Sequence, residues 1–372
     1  MPSSISSFDT AAKRLPQLPW VKLLGGALLL AGAFVLLMES ALALRGFRPT
    51  IVDSQAQWAK QRARAAQLGS RALILVGDSR MQTDLDLDVL RAGSKLEPVE
   101  LALDGSSFVP VLAGLARDSE VTGTVLVGFS DVEVMRQDAA SAATRYETAY
   151  EKNSTATAAA WTYRNIEAAL GDRLHAVLAS YADGAGPLHT LLLRVLDPGA
   201  TPQSMVTQPD RTRVIDYSRA NLRSLRVRSA LFELDGTAAA KLTADLDRHE
   251  LALRNRIAQL QPADEKVYLE RGREIENLTR AIERRGGRVV FVRLPVAGNV
   301  TRIDEILYPR DRFWNQFVGI SSAACLRTDD ESTLREFTPP DDLHLDQRDR
   351  RAFSARLIAA AMSAAPCKAA TK

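Results

Sequence analysis

The sequence predicts an α/β fold: a three-layer domain around a parallel sheet, interrupted by a helical insertion and preceded by one N-terminal transmembrane helix. Three observations carry this. Short apolar runs that stop at small polar turns, Ala72–Val76, Val99–Leu103, Thr124–Val127 and Val289–Val292, read as buried parallel strands. From about Met135 to Pro262 the strand signals vanish and Ala, Leu, Arg and Gln dominate. Leu23 to Met38 carries no charge at all.

Taken in order, residues 1–20 are polar, carry Lys13 and Arg14, and read as a disordered tail. Residues 21–44 form the anchor, since apolar character resumes beyond Glu39 and Ser40, and at about 1.5 Å per residue the run spans a bilayer core. A signal peptide cut after Ala41-Leu42-Ala43 and a buried soluble helix are the competing readings. Lys13, Arg14 and Lys22 precede the span while Arg45, Arg48, Lys60, Arg62 and Arg64 follow it, so the positive-inside rule does not favour a cytoplasmic N-terminus.

Within residues 45–70, Asp53 to Leu68 has the composition of a polar helix with Trp58 and alanines on one side, which reads as a stalk. Residues 71–134 hold three strands with helix-like stretches at Leu85–Leu90 and Val109–Leu115 between them, a β-α-β-α-β order that demands parallel pairing with right-handed crossovers. The insertion, residues 135–262, has Leu231, Leu234, Leu242, Leu246 and Leu251 at roughly helical spacing, broken at Gly184-Ala185-Gly186-Pro187 and Asp197-Pro198-Gly199. It reads either as a lid or partner-docking element over the sheet edge or as a packing subdomain. Arg211, Arg213, Arg219, Arg223, Arg226 and Arg228 read as a solvated helix face, with an anionic glycan or lipid headgroup site as the alternative; His175, His189 and His249 read as surface or packing residues.

In residues 263–372, Tyr268, Ile275, Leu278 and Ile282 share a helical face that stops at Gly286-Gly287. Val296 to Thr338 reads as long and irregular, with Phe313, Trp314 and Phe317 either lining a cleft or sealing the loop on the core. Asp346, backed by Asp349, is expected to cap a last helix packed through Phe353, Leu357 and Ala361.

Composition narrows the function classes. A net charge of +3 with both signs abundant leaves no nucleic-acid footprint, and no phosphate-binding glycine motif follows a strand. Four scattered histidines and two cysteines, Cys325 and Cys367, outside any C-x-x-C pair support no metal and no cofactor.

The chemistry concentrates at two places. Gly77-Asp78-Ser79 follows the first strand, where an open α/β sheet has its ligand crevice, although all three residue types also favour ordinary turns. Far downstream, Pro339-Pro340-Asp341-Asp342-Leu343-His344-Leu345 sets a carboxylate and an imidazole three residues apart before a helix. A hydroxyl nucleophile needs a base, and that base needs an orienting group; Ser79, His344 and Asp341 supply these roles, with Asp342 as the alternative orienter.

With these residues the chain resembles the SGNH (GDSL-like) hydrolase family over Ala72 to Val134 and Arg288 to Ala361. The resemblance selects Asp341 through its Asp-x-x-His spacing. It matches Asp104-Gly105-Ser106-Ser107 to the second block, making Gly105 an oxyanion donor beside the Ser79 amide. In Gly128-Phe129-Ser130-Asp131, Ser130 stands where the family has an asparagine, so a shorter hydroxyl would be the third donor. The resemblance implies a serine esterase or O-acyltransferase acting on acyl esters, acetyl foremost, of a cell-envelope polysaccharide, beside a membrane-embedded acyltransferase partner. The place implied is the inner membrane, with the catalytic domain in the periplasm or otherwise outside the cytoplasm. An inactive scaffold in an envelope polymer assembly or export complex is the alternative. Export to an oxidising compartment further predicts a Cys325–Cys367 disulfide, against two unpaired thiols.

Overall fold

The computed structural model describes residues 19–136, 140–153, 171, 173–181, 187–197, 199–236 and 245–367. The expected tail up to residue 18, the Gly184-Ala185-Gly186 break, Pro198 and Leu242 lie outside them. Its main sheet is built from β1 (Ala72–Val76), β2 (Glu97–Glu100), β3 (Thr124–Gly128), β6 (Arg288–Arg293) and β7 (Ala324–Arg327), in the order β2-β1-β3-β6-β7. All four pairings are parallel. β4 (Met205–Thr207) and β5 (Arg213–Ile215) form a separate antiparallel pair.

Strand alternation builds the three layers. In β1, Ala72, Ile74 and Val76 join a core with Trp58, Val111, Leu112, Ile275 and Phe317, while Leu73 and Leu75 join one with Leu90, Phe353, Leu357 and Ile358 on the opposite face. The strand order reverses between β1 and β3, so the loops leaving their carboxyl ends diverge and open the crevice in which such folds hold ligands. The α/β expectation therefore holds, with two unforeseen pieces: β7 inside the stretch expected to be irregular, and the β4–β5 pair inside the insertion.

The helix expected as a stalk is a layer of the domain. Helix α2 (Gln55–Leu68) starts where the Ser54 hydroxyl accepts from the Gln57 N–H, and it buries Trp58 completely, with the indole N–H donating to the Leu101 carbonyl at 2.9 Å. One of its charged residues turns inward too: Arg62, 2% exposed, reaches Asp118 at 2.8 Å and Glu147 at 3.4 Å. The segment before it is equally engaged, because Ile51 N–H donates to the Thr207 carbonyl at 3.0 Å and Thr207 N–H to the Thr50 hydroxyl at 2.9 Å.

The arginine cluster is also not a shared solvated face. Arg211 is fully buried, grips Asp53 through two nitrogens at 2.6 and 3.1 Å, and donates to the Glu100 and Ala102 carbonyls. Arg213 pairs with Asp104, Arg223 with Asp247 and Glu250, and Arg226 donates to the Pro340 carbonyl. Phe313, Trp314 and Phe317 are buried in the core around Phe129 and Phe291 rather than lining a cleft. Asp346 caps a turn through the Arg348 N–H at 2.9 Å instead of the last helix, which begins only at Arg350.

Helix α1 (Trp20–Leu44) is 25 residues long and apolar enough to cross a membrane. Leu28, Leu29, Leu30, Leu36 and Leu37 are 69 to 76% exposed, so among the described residues nothing covers the middle of this helix.

Candidate active site

The Gly77-Asp78-Ser79 turn begins where β1 ends. Gly77, with φ of 154°, must be glycine: a Cβ there would stand 2.7 Å from Met81 Cγ and 3.3 Å from Gly128 Cα. Asp78 then caps the short helix α3 (Ser79–Asp84) by accepting from the Arg80 N–H at 2.9 Å, which sets Ser79 at its first position, 7% exposed.

Below the turn lies a buried charged cluster. Arg80, 4% exposed, bonds both oxygens of Asp78 through Nε at 3.2 and 3.0 Å and approaches Glu133 at 3.6 Å. Burial alone would raise Asp78, but the Arg80 guanidinium outweighs it and holds the carboxyl below its usual range. Glu133 goes the other way, well above the usual range, first through burial and then through the Asp78 charge. Its backbone contact is the Phe108 N–H at 3.1 Å.

His344 arrives on the loop after Pro339. Asp341 Oδ1 accepts from the Leu343 N–H at 3.0 Å and the His344 N–H at 2.7 Å, which fixes the carboxylate. Its Oδ2 lies 2.9 Å from His344 Nδ1, and His344 Nε2 lies 2.8 Å from Ser79 Oγ. With the ring proton on Nδ1 facing the carboxylate, Nε2 is the acceptor that faces the serine hydroxyl. Burial opposes charging His344, but Asp341 outweighs it and the imidazole titrates above its usual value; Asp341 is lowered by the same pairing despite its burial.

Asp342 does not serve as orienter. In the left-handed region at φ 71°, it accepts from the Asn299 N–H at 3.0 Å at the start of the helix Gly298–Leu307. A Cβ on Gly298 would fall 2.4 Å from that carboxylate.

Of the other predicted positions, Gly105 occupies the turn after β2 at φ 64°, and Ser130, 2% exposed, lies two residues past the end of β3 with its hydroxyl making no capping bond to the helix it precedes. Cys325 and Cys367 are joined as a disulfide with a Cα–Cα distance of 4.9 Å, tying β7 to the chain beyond the last helix.

Four contributors carry no recognisable sequence signal. Asp84, completely buried, accepts from the Thr83 hydroxyl at 2.8 Å and from the Leu345 N–H at 2.9 Å. The other three come from the insertion. Tyr217 is buried beside Asp341, where burial first and the aspartate charge next keep its hydroxyl protonated. Arg226 holds the Pro340 carbonyl at 2.9 Å. Phe232 lies over Gly105, its Cε2 3.4 Å from where a Cβ on that glycine would stand. A separate cavity of about 290 Å³ near the carboxyl ends of β6 and β7, lined by Arg293, Asp304, Tyr308 and Arg327 among others, includes none of the triad residues. Among the described residues no cluster of three potential metal ligands occurs.

Compared with known proteins, the chain matches no family model and no curated sequence.

Proposed function

We propose that this protein is a membrane-anchored serine esterase or O-acyltransferase that acts on acyl esters of a cell-envelope polysaccharide. The observation that carries the reading is the unbroken chain from Ser79 Oγ to His344 Nε2 at 2.8 Å and from His344 Nδ1 to Asp341 at 2.9 Å. In the proposed reaction Ser79 Oγ bonds the acyl carbon while its proton passes to Nε2. The oxyanion is met by the backbone N–H groups of Ser79 and Gly105, with the Ser130 hydroxyl as third donor. When the intermediate collapses, the ester C–O bond breaks and His344 returns the proton to the departing alcohol. Water or a sugar hydroxyl then takes the acyl group from Ser79 by the reverse sequence, and the choice between them separates hydrolysis from transfer.

The experiment is incubation of the full chain in nanodiscs with p-nitrophenyl acetate, with mass spectrometry of the peptide that contains Ser79. A 42 Da adduct on Ser79, absent from Ser79→Ala, supports the reading. A folded protein that gives neither adduct nor nitrophenolate release removes it in favour of an inactive scaffold in envelope polymer assembly. Ser130 in the third donor position is the observation that favours that second reading.

A further inference from the structure

The far end of α1 does not run free into the linker. Met38 and Leu42, its two buried residues, pack with Phe47 and Ala179 and with the partly buried Leu191, Val195 and Ala200 of the insertion. Glu39, the one acidic residue in the helix, accepts from the Ala179 N–H at 2.8 Å and the Ser180 N–H at 3.0 Å. Arg45, just past the helix, donates to the carbonyls of Arg194, Val195, Asp197 and Ala200. Between these two clamps lies a single π-helical turn, Leu191–Val195, that presents Leu192, Leu193 and Leu196 outward at 55, 54 and 62% exposure.

Depth follows from length. The uncharged run Leu23–Met38 covers only about 24 Å, short of the roughly 30 Å hydrocarbon core, so a spanning α1 needs its last turns, Glu39 included, to finish the crossing. Whatever packs on Met38 and Leu42 therefore sits at the hydrocarbon edge. Irregular backbone survives there only when its polar groups are paired inside the protein. Arg45 takes four carbonyls between Arg194 and Ala200, the Leu196 N–H returns to the Leu191 carbonyl, and Glu39 takes the Ala179 and Ser180 N–H groups upstream, so these groups are paired inside the protein while apolar side chains face out.

We infer that Leu191–Leu196 is a second membrane contact, inserting Leu192, Leu193 and Leu196 among the acyl chains at the headgroup boundary beside the end of α1. It rests on α1 spanning the bilayer and is independent of the triad. The occupant is lipid rather than another protein because the patch continues the lipid-facing surface of the span at the same depth.

The test uses the full chain, disulfide intact, in nanodiscs of phosphatidylethanolamine and phosphatidylglycerol. Single cysteines for a nitroxide label are introduced in turn as Leu193→Cys, Leu196→Cys, Leu36→Cys in the span and Asp88→Cys on an exposed helix. All four positions point outward, so the label leaves the core intact. The ratio of collisions with oxygen to collisions with a nickel chelate should be several-fold higher at 193 and 196 than at 88, approaching that at 36. A ratio at 193 and 196 equal to that at 88, with 36 lipid-exposed, overturns the inference alone. If 36 also behaves like 88, the span fails and the inference with it. Labels at 193 and 196 that neither collider reaches mark a protein contact, and that too overturns it.

Discussion

The N–H of Leu345 donates to Asp84 Oδ1 at 2.9 Å, so the residue after His344 is held by the last residue of the helix that begins with Ser79. One carboxylate thereby locks two segments more than 250 residues apart in sequence. Thr83, whose hydroxyl lies 2.8 Å from Asp84 Oδ1 and 2.9 Å from the Ser79 carbonyl, closes the link to Ser79 itself.

Asp84 is pushed up to about 6 by burial, against the pull of His344. The folded state then binds a proton that the unfolded chain has released, so this group's stabilisation is full below about pH 4 and is lost as pH rises through 6. Asp84→Asn removes the titration while keeping an oxygen to accept from Leu345. Denaturant unfolding should show the variant gaining on the wild type by roughly 2–3 kcal/mol between pH 4 and pH 7. A difference independent of pH would contradict the assignment. Asp84→Ala, which also strands the Leu345 N–H, should be about 1–3 kcal/mol less stable than Asp84→Asn at any pH.

His344 must be neutral to accept the serine proton, and its pKa is raised above 6.5 by Asp341. Ester turnover should therefore rise with pH along a limb whose midpoint lies above 6.5. Asp341→Asn should move that limb down in pH and lower kcat on the order of 10³- to 10⁴-fold. An unchanged midpoint would remove Asp341 from its orienting role.

Ser130→Asn lengthens the side chain at the third donor position. In a working enzyme kcat should hold or rise, by up to about 100-fold, the value of one oxyanion donor. Because Ser130 is 2% exposed, the larger side chain should also cost about 1–3 kcal/mol of stability, read from the melting curve. A fall in kcat in a folded variant would remove Ser130 from the oxyanion site.

Arg80 and Glu133 should respond oppositely to neutral substitution. Arg80→Met leaves the Asp78 carboxylate buried without its partner and should destabilise by about 3–5 kcal/mol. Glu133→Gln puts a neutral near-isostere where burial and the Asp78 charge already disfavour a carboxylate, and should stay within about 1 kcal/mol. Equal losses would mean that Glu133 is ionised.

The Cys325–Cys367 bridge closes a loop 42 residues in sequence that contains Asp341 and His344. Thiol titration of denatured, unreduced protein should find no free cysteine. Reduction should lower stability by roughly 2–4 kcal/mol. Two reactive thiols in native material would contradict the bridge.

What could be read from the residues alone follows from how each signal is written. β1, β3 and β6 are buried on both faces, so continuous apolar runs announce them. β7, Ala324-Cys325-Leu326-Arg327, is an edge strand with alternate burial and only four residues, and so resembles loop. β4 and β5, three residues each, fall below any periodicity window. Gly-Asp-Ser and Asp-x-x-His are local patterns, which made Ser79, Asp341 and His344 legible. Asp84, Tyr217 and Phe232 meet the site only through tertiary packing, and no spacing records that. The stalk reading of residues 45–70 failed for a related reason: polar side chains that suit a solvated helix, such as Arg62, find buried partners on other elements.

The grip of Arg211 on Asp53, with the Ile51–Thr207 bond before it, removes the slack between α1 and the domain. A free ten-residue leash would let its cargo roam over about 17–19 Å. Held as it is, the crevice rides at a set height and heading, like a tool bolted to its bench. On the proposed reading, a polymer passing at that height is within reach and one further off must be brought to it.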